Sequence, residues 1–373
     1  MNRREFCKKS IVATVLMSGI GTGLLSCTRD LRSELMCAEG LPQKRIEMDP
    51  VAYRILYYAS LAPSGHNSQP WFVRMIGKTR WIIGSDKDRW LPQVDGSNRE
   101  VMLSLGAFIE NLVQAANALG YAVETLVTGK DVFDPEVVLI NISKSKAVDI
   151  PLQRIITRRT VKSNMLQGEL KLSDVNDFKK EAKGHLHYFP SGTTHSKHMA
   201  KEAVNNFIIQ FNNEEAVSEA ANWTRLKDEE IKKYRDGLTP EGMEITGLAG
   251  FYVRNFMSKK DVMGKTFREK GIEKIEKQVK EGAGWMVITS EGNNVKDLIE
   301  TGRRFQRIAL RAREKMIAIH PMTQALEERQ GQKKIKENHP DTMIPQFMLR
   351  VGYLSQYPDP VSLRRPVDWF VRT

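Results

Sequence analysis

Trp285-Met286-Val287-Ile288-Thr289-Ser290-Glu291 repeats, late in the chain, a pattern already present at Trp81-Ile82-Ile83-Gly84-Ser85-Asp86. Both are short apolar runs led by tryptophan and closed by polar residues, which read as buried strands. A helix-like span follows each. The first carries apolar residues at Val101, Leu105, Phe108, Leu112, Ala116 and Leu119, the second at Leu298, Phe305, Ala309, Ala312, Met316 and Ile319. That three- and four-residue spacing makes one apolar face on a helix. A proline-led strand then closes each unit: Pro135-Glu136-Val137-Val138-Leu139-Ile140 and Pro345-Gln346-Phe347-Met348-Leu349-Arg350. Gly106 pairs with Gly302, Glu110 with Gln306 and Ala116 with Ala312, all at one constant offset. The repeated order predicts an internal duplication. The expected fold is α+β, with two fused related halves, each an antiparallel or mixed sheet flanked by helices. A homodimer with an isologous interface has two equivalent sites. Fusion lets one be kept while the other decays, so one chain acts as a pseudo-dimer.

The 373 residues suffice for two domains or one duplicated domain. Hydrophobic residues at 41% and charged residues at 27% fit a globular body. No apolar run after residue 30 approaches the ~20 residues that span a bilayer. The net charge of +12 does not predict nucleic-acid binding, because Lys and Arg alternate with Glu and Asp, as from Lys227 to Lys233. Mixed runs of this kind mark solvated helix faces.

Asn2-Arg3-Arg4-Glu5-Phe6-Cys7-Lys8 opens a basic region, and Ile11 to Leu25 is a short apolar stretch rich in Gly and Ser. This reads as a cleavable export signal, with an arginine pair of the twin-arginine kind. Leu24-Leu25-Ser26-Cys27 resembles a bacterial lipobox, which makes Cys27 the expected lipid-modified residue. The chain is then exported, periplasmic or membrane-anchored, and meets the membrane only through that anchor. Cys37 is left alone in the mature chain, so no disulfide forms within it. These readings divide the chain into a signal over 1–27, a tether over 28–48, a first half over 49–150 and a second half over 151–373.

Two stretches carry candidate chemistry. Ala62-Pro63-Ser64-Gly65-His66-Asn67-Ser68-Gln69-Pro70-Trp71 lies between a helix-like segment (Val51 to Ser60) and a strand (Phe72 to Ile76). Its prolines and short polar side chains suit either a rigid loop that hydrogen-bonds a planar ligand or a well-capped turn. Ile156-Thr157-Arg158-Arg159-Thr160-Val161-Lys162 sets two guanidiniums, a hydroxyl and an ammonium close together, as a phosphate grip or a basic surface turn. His185, His187, His195 and His198 lack an orienting ligand set, so no metal is expected.

Pro-Ser-x-x-Asn-x-Gln-Pro-Trp is similar to the FMN-binding loop of the nitroreductase superfamily, and Arg-Arg-Thr-x-Lys resembles that family's Arg-Arg-Ser-x-Arg signature. Thr160 and Lys162 are the departures, and at Lys162 a point charge replaces a guanidinium fork. The resemblance, strongest to tandem-fused single-chain members, implies a nitroreductase-like fold with FMN as cofactor. It implies flavin and ribityl contacts from Ser64, Asn67 and Gln69, with Gly65 and His66 close by. It further implies ribityl and phosphate contacts from Arg158, Arg159, Thr160 and Lys162. Two looser matches follow: Pro321, Met322 and Thr323, where the family sets backbone donors against the ring, and Arg364 and Arg365, where it adds basic residues to the phosphate. The Gly-, Met- and aromatic-rich stretch 236–270 matches an insertion that covers the flavin, or else forms an irregular interface loop. The first half has only Asp49-Pro50-Val51-Ala52-Tyr53-Arg54 where the grip belongs, and the second half lacks a Pro-Ser loop. Each keeps what the other lacks, so one composite site is expected.

The resemblance implies an FMN oxidoreductase that passes electrons to a small acceptor such as a nitro, quinone or halogenated aromatic compound. No residue of the chain is required as nucleophile or acid, since the flavin carries the chemistry. Family members draw hydride from NADH or NADPH, which are absent outside the cytoplasm, so the export signal and that donor conflict. A flavin-sequestering or ligand-binding lipoprotein without turnover is the alternative.

Overall fold

The computed structural model describes residues 31–36, 48–339 and 344–372. The expected export signal, Cys27 and Cys37 lie outside the described residues. Helix α1 (Pro50–Ser60) opens the body, its first turn capped by Asp49, whose carboxylate accepts from the Val51 and Ala52 amides. Strands β1 (Trp71–Met75) and β2 (Arg80–Ser85) follow. Helix α2 (Arg99–Ala118), β3 (Tyr121–Val127) and β4 (Glu136–Lys144) complete the first unit. The second comprises helix α3 (Leu172–Glu181), β5 (Leu186–Pro190), helix α4 (Thr194–Asn212), helix α5 (Lys265–Gln278), β6 (Gly284–Ser290), helix α6 (Val295–Glu314), β7 (Ile317–Pro321) and β8 (Ile344–Tyr353). A short strand, β9 (Val371–Arg372), ends the chain's described part.

The two sheets share one topology. In the first the order is β3-β4-β2-β1, and in the second it is β7-β8-β6-β5, with β9 added outside β1. Ladders within each set of four are antiparallel, while β9 runs parallel to β1. Even the irregularities correspond. The β2–β4 ladder shifts register between Ile83 and Gly84, and the β6–β8 ladder between Ile288 and Thr289. The halves are therefore related α+β units, as the sequence repeat predicts. The C-terminal strand, however, completes the first half's sheet, so chain order and spatial halves differ at the end.

Helix α2 is buried nearly all round because it lies between the first sheet and α6. Leu105, Phe108 and Leu112 are fully buried on it, packed in one cluster with Trp71, Trp81 and Phe370. Such side chains each contribute about 1.5–3 kcal/mol by leaving water. A second cluster joins Phe305, Ile308 and Ala312 of α6 to Met286, Ile288 and Leu349. No helix among the described residues is long and apolar enough to cross a membrane.

Three local expectations change. The second long helix stops at Glu314, and Ile319 lies on β7 instead. Met316 turns the chain in the left-handed region at φ 55°, and the alternating Ile317 and Ile319 suit a strand. The stretch 236–270 is not irregular throughout: Gly247–Phe256 is a helix, and Lys259–Val262 is a turn of helix under a Ser258–Asp261 capping box. Gly250 serves packing there, since a Cβ would meet the Ile245 carbonyl at 2.6 Å. Within the expected tether, Leu31–Leu35 is a short helix, and Leu31 packs on Ile231 and Leu363.

Candidate functional site

The Ser64–Gln69 loop is wound tightly. His66, Asn67 and Gln69 all have positive φ, at 47°, 52° and 54°. Asn tolerates this region, but His and Gln adopt it only where the surroundings hold them. Ser64 supplies part of that hold, its Oγ accepting from the Gln69 amide at 2.9 Å. The loop's side chains then reach other segments. Asn67 Nδ2 donates to the carbonyls of Gly237 and Leu363, both at 3.3 Å. Gln69 is fully buried: its Nε2 donates to the Arg235 carbonyl and its Oε1 accepts from the Arg365 amide, both at 2.9 Å. The Arg365 guanidinium donates to the carbonyls of Gln69 and Trp71 at 2.6 and 2.9 Å. The loop is thus a hub that gathers the start of the 236–270 stretch and the C-terminal tail.

Arg158 to Lys162 follow the short helix Gln153–Thr157 and lie beside this hub. Arg158 is buried, its Nη1 reaching only Thr160 Oγ1 at 3.5 Å, and its Nε has no partner among the described residues. Burial first, and then the nearby Arg32, lower its pKa to about 10. Arg364 is buried next to it, and burial, Arg158 and Arg32 hold its pKa well below the usual guanidinium value. Arg364 donates to the Leu61 and Ala62 carbonyls just past the end of α1, where a helix C-terminus favours a cation. Arg159 donates to the Asp359 carbonyl at 2.5 Å. The Lys162 amide donates to Glu244 at 2.8 Å, and its ammonium lies near Lys274 and Arg159. Burial chiefly, opposed by Glu244, lowers the Lys162 pKa to about 8.

The two sequence motifs come within electrostatic reach of each other at His66. Burial lowers the His66 pKa, Glu100 opposes the shift, and Lys162 adds to it. His66 Nδ1 is buried without a partner among the described residues. His320, at the end of β7, is kept neutral by burial and by Arg350, Lys162 and Lys274.

Beyond His66 the character of the site reverses. The Thr323 hydroxyl lies 3.0 Å from Glu100 and 2.9 Å from Glu327. Gly65 lies close to that carboxylate, and a Cβ there would stand 3.0 Å from Glu100 Oε2. Burial foremost, then Glu100, pushes the Glu327 carboxyl well above its usual range, while Gln210 donates to it at 2.6 Å. Pro321 ends β7, and the Met322 amide continues the ladder by donating to the Met348 carbonyl at 2.8 Å, with its side chain in an apolar cluster.

Excess buried cations thus gather on one side of His66, and a buried carboxyl whose pKa is pushed upward lies on the other. Cations buried without a matching carboxylate suit an anion, which would supply the charge-assisted bonds that burial withholds. On that side the residues fit a phosphate. At the loop, Asn67 and Gln69 hold neighbouring backbone, and Arg365 clamps β1, although its Nε is unpartnered among the described residues. Sequence reading did not single out Glu100, Glu244, Lys274, Glu327 or Arg350, because nothing local marks a carboxyl or cation that only tertiary packing brings inward. Of the four histidines read together, His195 and His198 meet each other through His339, at 3.0 and 3.3 Å between ring nitrogens. Among the described residues no group of three or more His, Cys, Asp or Glu is arranged to hold a metal ion.

No family model matches the chain, and no curated protein does. Two solved structures are similar in part. The FMN-dependent nitroreductase NfnB of Mycobacterium smegmatis, solved with NADPH, is 12% identical with a TM-score of 0.35, covering 59% of this chain and 96% of its own. A candidate nitroreductase from Anabaena variabilis is 8% identical, also at a TM-score of 0.35, covering 94% of this chain and 99% of its own. Overlaps at this level carry no argument about the site.

Proposed function

We propose that the chain is an FMN-binding oxidoreductase of the nitroreductase type, with one flavin in the seam between its two halves. The observation that carries this reading is the nearness of Lys162 to buried His66, close enough for the ammonium's charge to act on the imidazole. One stands in the Pro-Ser loop and the other in the Arg-Arg-Thr-x-Lys segment, nearly a hundred residues apart. Arg158 and Arg364 are buried next to each other, and Asn67 of the same loop donates to the Leu363 carbonyl beside Arg364.

Arg158, Arg159, Thr160 and Lys162 hold the phosphate and ribityl end, with Arg364 and Arg365 behind them. Ser64 and Asn67 face the ring end, Gln69 braces the loop from behind, and Pro321, Met322 and Thr323 bound it. FMN, once bound, supplies hydride and electron transfer to a small nitro, quinone or halogenated aromatic acceptor. The chain's own part is to orient, to exclude water and to hold a proton. Burial and the neighbouring Glu100 favour the protonated form of Glu327 at the ring end. Residues 236–270 cover the seam, joined to the loop where Asn67 bonds Gly237. A single chain completes the site, so the working unit is a pseudo-dimeric monomer. We further read the chain as an exported lipoprotein anchored at Cys27. Its electron donor is then a reduced carrier other than a nicotinamide nucleotide.

One observation favours a second reading, flavin sequestration without turnover. Asn67 ties the cover to the loop at Gly237, and Gln69 holds Arg235 just before it, as in a closed container. The visible spectrum of the purified protein comes first. Flavin bands are expected, and a colourless protein that takes up no FMN rejects both readings. Anaerobic photoreduction followed by an acceptor screen then separates them: reoxidation by acceptors supports the enzyme, and a flavin inert to all of them supports storage.

A further inference from the structure

The cover carries an apolar face that the body leaves open. On the helix Gly247–Phe256, Leu248, Phe251 and Phe256 are 76%, 59% and 57% exposed. Phe251 and Phe256 sit edge to face with centroids 6.2 Å apart, so they form one patch. Isolated exposed apolar residues need no explanation, but a contiguous aromatic patch does. The next turn brings Lys259 and Lys260, and beyond it Lys265, whose side chain is 88% exposed. The acids among these lysines are engaged: Asp261 accepts from the Ser258 amide and hydroxyl at 2.8 and 2.7 Å, and Glu269 lies 3.7 Å from Lys265. Helices with aromatic and leucine side chains on one side and lysines beside them lie in the headgroup layer of anionic bilayers.

The amino-terminal segment ties this face to a membrane. Leu31 packs on Ile231 in the helix Asp228–Tyr234. Asp228, at the start of that helix, pairs with Arg254 of the exposed helix at 3.7 Å. Arg235, just past its end, donates to the Leu35 carbonyl and lies over the 41% exposed Trp369. Cys27 precedes Leu31 by four residues, a span of at most about 14 Å when extended. A lipid on Cys27 therefore holds this side of the molecule against the bilayer.

We propose that Leu248, Phe251 and Phe256, with Lys259 and Lys260, dock the cover onto an anionic lipid surface. This inference rests on the reading of Cys27 as lipid-anchored. The test uses the full chain, processed through its own export route and reconstituted into phosphatidylglycerol vesicles containing brominated lipid, with and without Phe251→Trp. The introduced indole is expected to lose roughly half or more of its emission to brominated lipid, as for a side chain 5–10 Å deep. Adding Lys259→Glu and Lys260→Glu, or raising salt, reduces that quenching. A chain that sediments with vesicles but leaves the Phe251→Trp indole unquenched overturns the docking and spares the anchor. A chain that does not sediment removes both. Quenching absent because two copies cover the face, seen as a dimer in detergent that Phe256→Ser dissociates, overturns the lipid in favour of self-association.

Discussion

The Cα of Gly302 lies 2.9 Å from where a Cβ on Gly106 would stand, and the Cα of Gly106 lies 3.0 Å from the matching point on Gly302. The two long helices thus cross at glycines that occupy equivalent places in the repeat. The contacts are reciprocal. The Ile299 carbonyl is 2.2 Å from the Gly106 position, and the Leu103 carbonyl is 2.0 Å from that of Gly302. Residue i meeting j while j meets i is the mark of a twofold interface, kept here inside one chain.

Gly106→Ala decides between two opposed effects. Helix propensity alone would favour alanine by about 1 kcal/mol. A methyl forced against backbone costs more, since overpacking is worth typically about 1–3 kcal/mol. A net loss of stability in urea is expected, with a similar loss for Gly302→Ala. Stabilisation by either would show that the crossing is looser than described.

Gln69 and Arg365 act as one unit. Gln69→Leu leaves the Arg365 amide and the Arg235 carbonyl without their partner, at about 1–3 kcal/mol for each buried group. Arg365→Leu breaks the same clamp from the other side. In a double-mutant cycle the two losses are expected to be strongly non-additive. Simple additivity would mean that the loop and the tail are held separately.

Lys162 gives flavin binding a pH dependence. Its pKa of about 8 leaves it charged below that pH and neutral above it. A bound phosphate favours the charged form, so FMN affinity is expected to be full below about pH 8 and to fall as pH rises through it. Riboflavin, which has no phosphate, should show little of this fall. The same decline for both ligands, followed by flavin fluorescence, would place Lys162 away from the phosphate.

Glu327 affects stability with the opposite charge logic. Its folded pKa lies well above the ordinary 4.5. Stability from this group is therefore greatest below about pH 4.5 and is lost as pH rises toward the folded value. Glu327→Gln removes the ionisation, so its melting temperature should fall less than that of the native chain from about pH 5 to pH 8. Parallel profiles would show that Glu327 ionises freely.

The repeat was legible because strands and helices of the core write their period into sequence. Trp81 and Trp285 do open buried stretches of β2 and β6, and Leu105 and Phe305 do face the core. The boundary at Met316 was not, since Ile319 falls in step with the preceding helix although the chain has already turned. The exchange of β9 into the first sheet was equally hidden, because Val371 and Arg372 carry no period of their own. At the site, Pro-Ser and Arg-Arg-Thr were visible as motifs with unusual composition. Glu327 and Glu100 were not, for their properties come from neighbours more than two hundred residues apart in the chain.

The most direct test of the composite site is an equilibrium titration of the purified chain with FMN and with riboflavin, repeated for Asn67→Ala and Arg159→Ala. One FMN per chain is expected. Arg159→Ala should weaken FMN by about 2 kcal/mol, roughly thirtyfold, and riboflavin by less, while Asn67→Ala weakens both alike. Two flavins per chain, or an Arg159→Ala variant that binds FMN as tightly as the native chain, would contradict a single site shared between the halves.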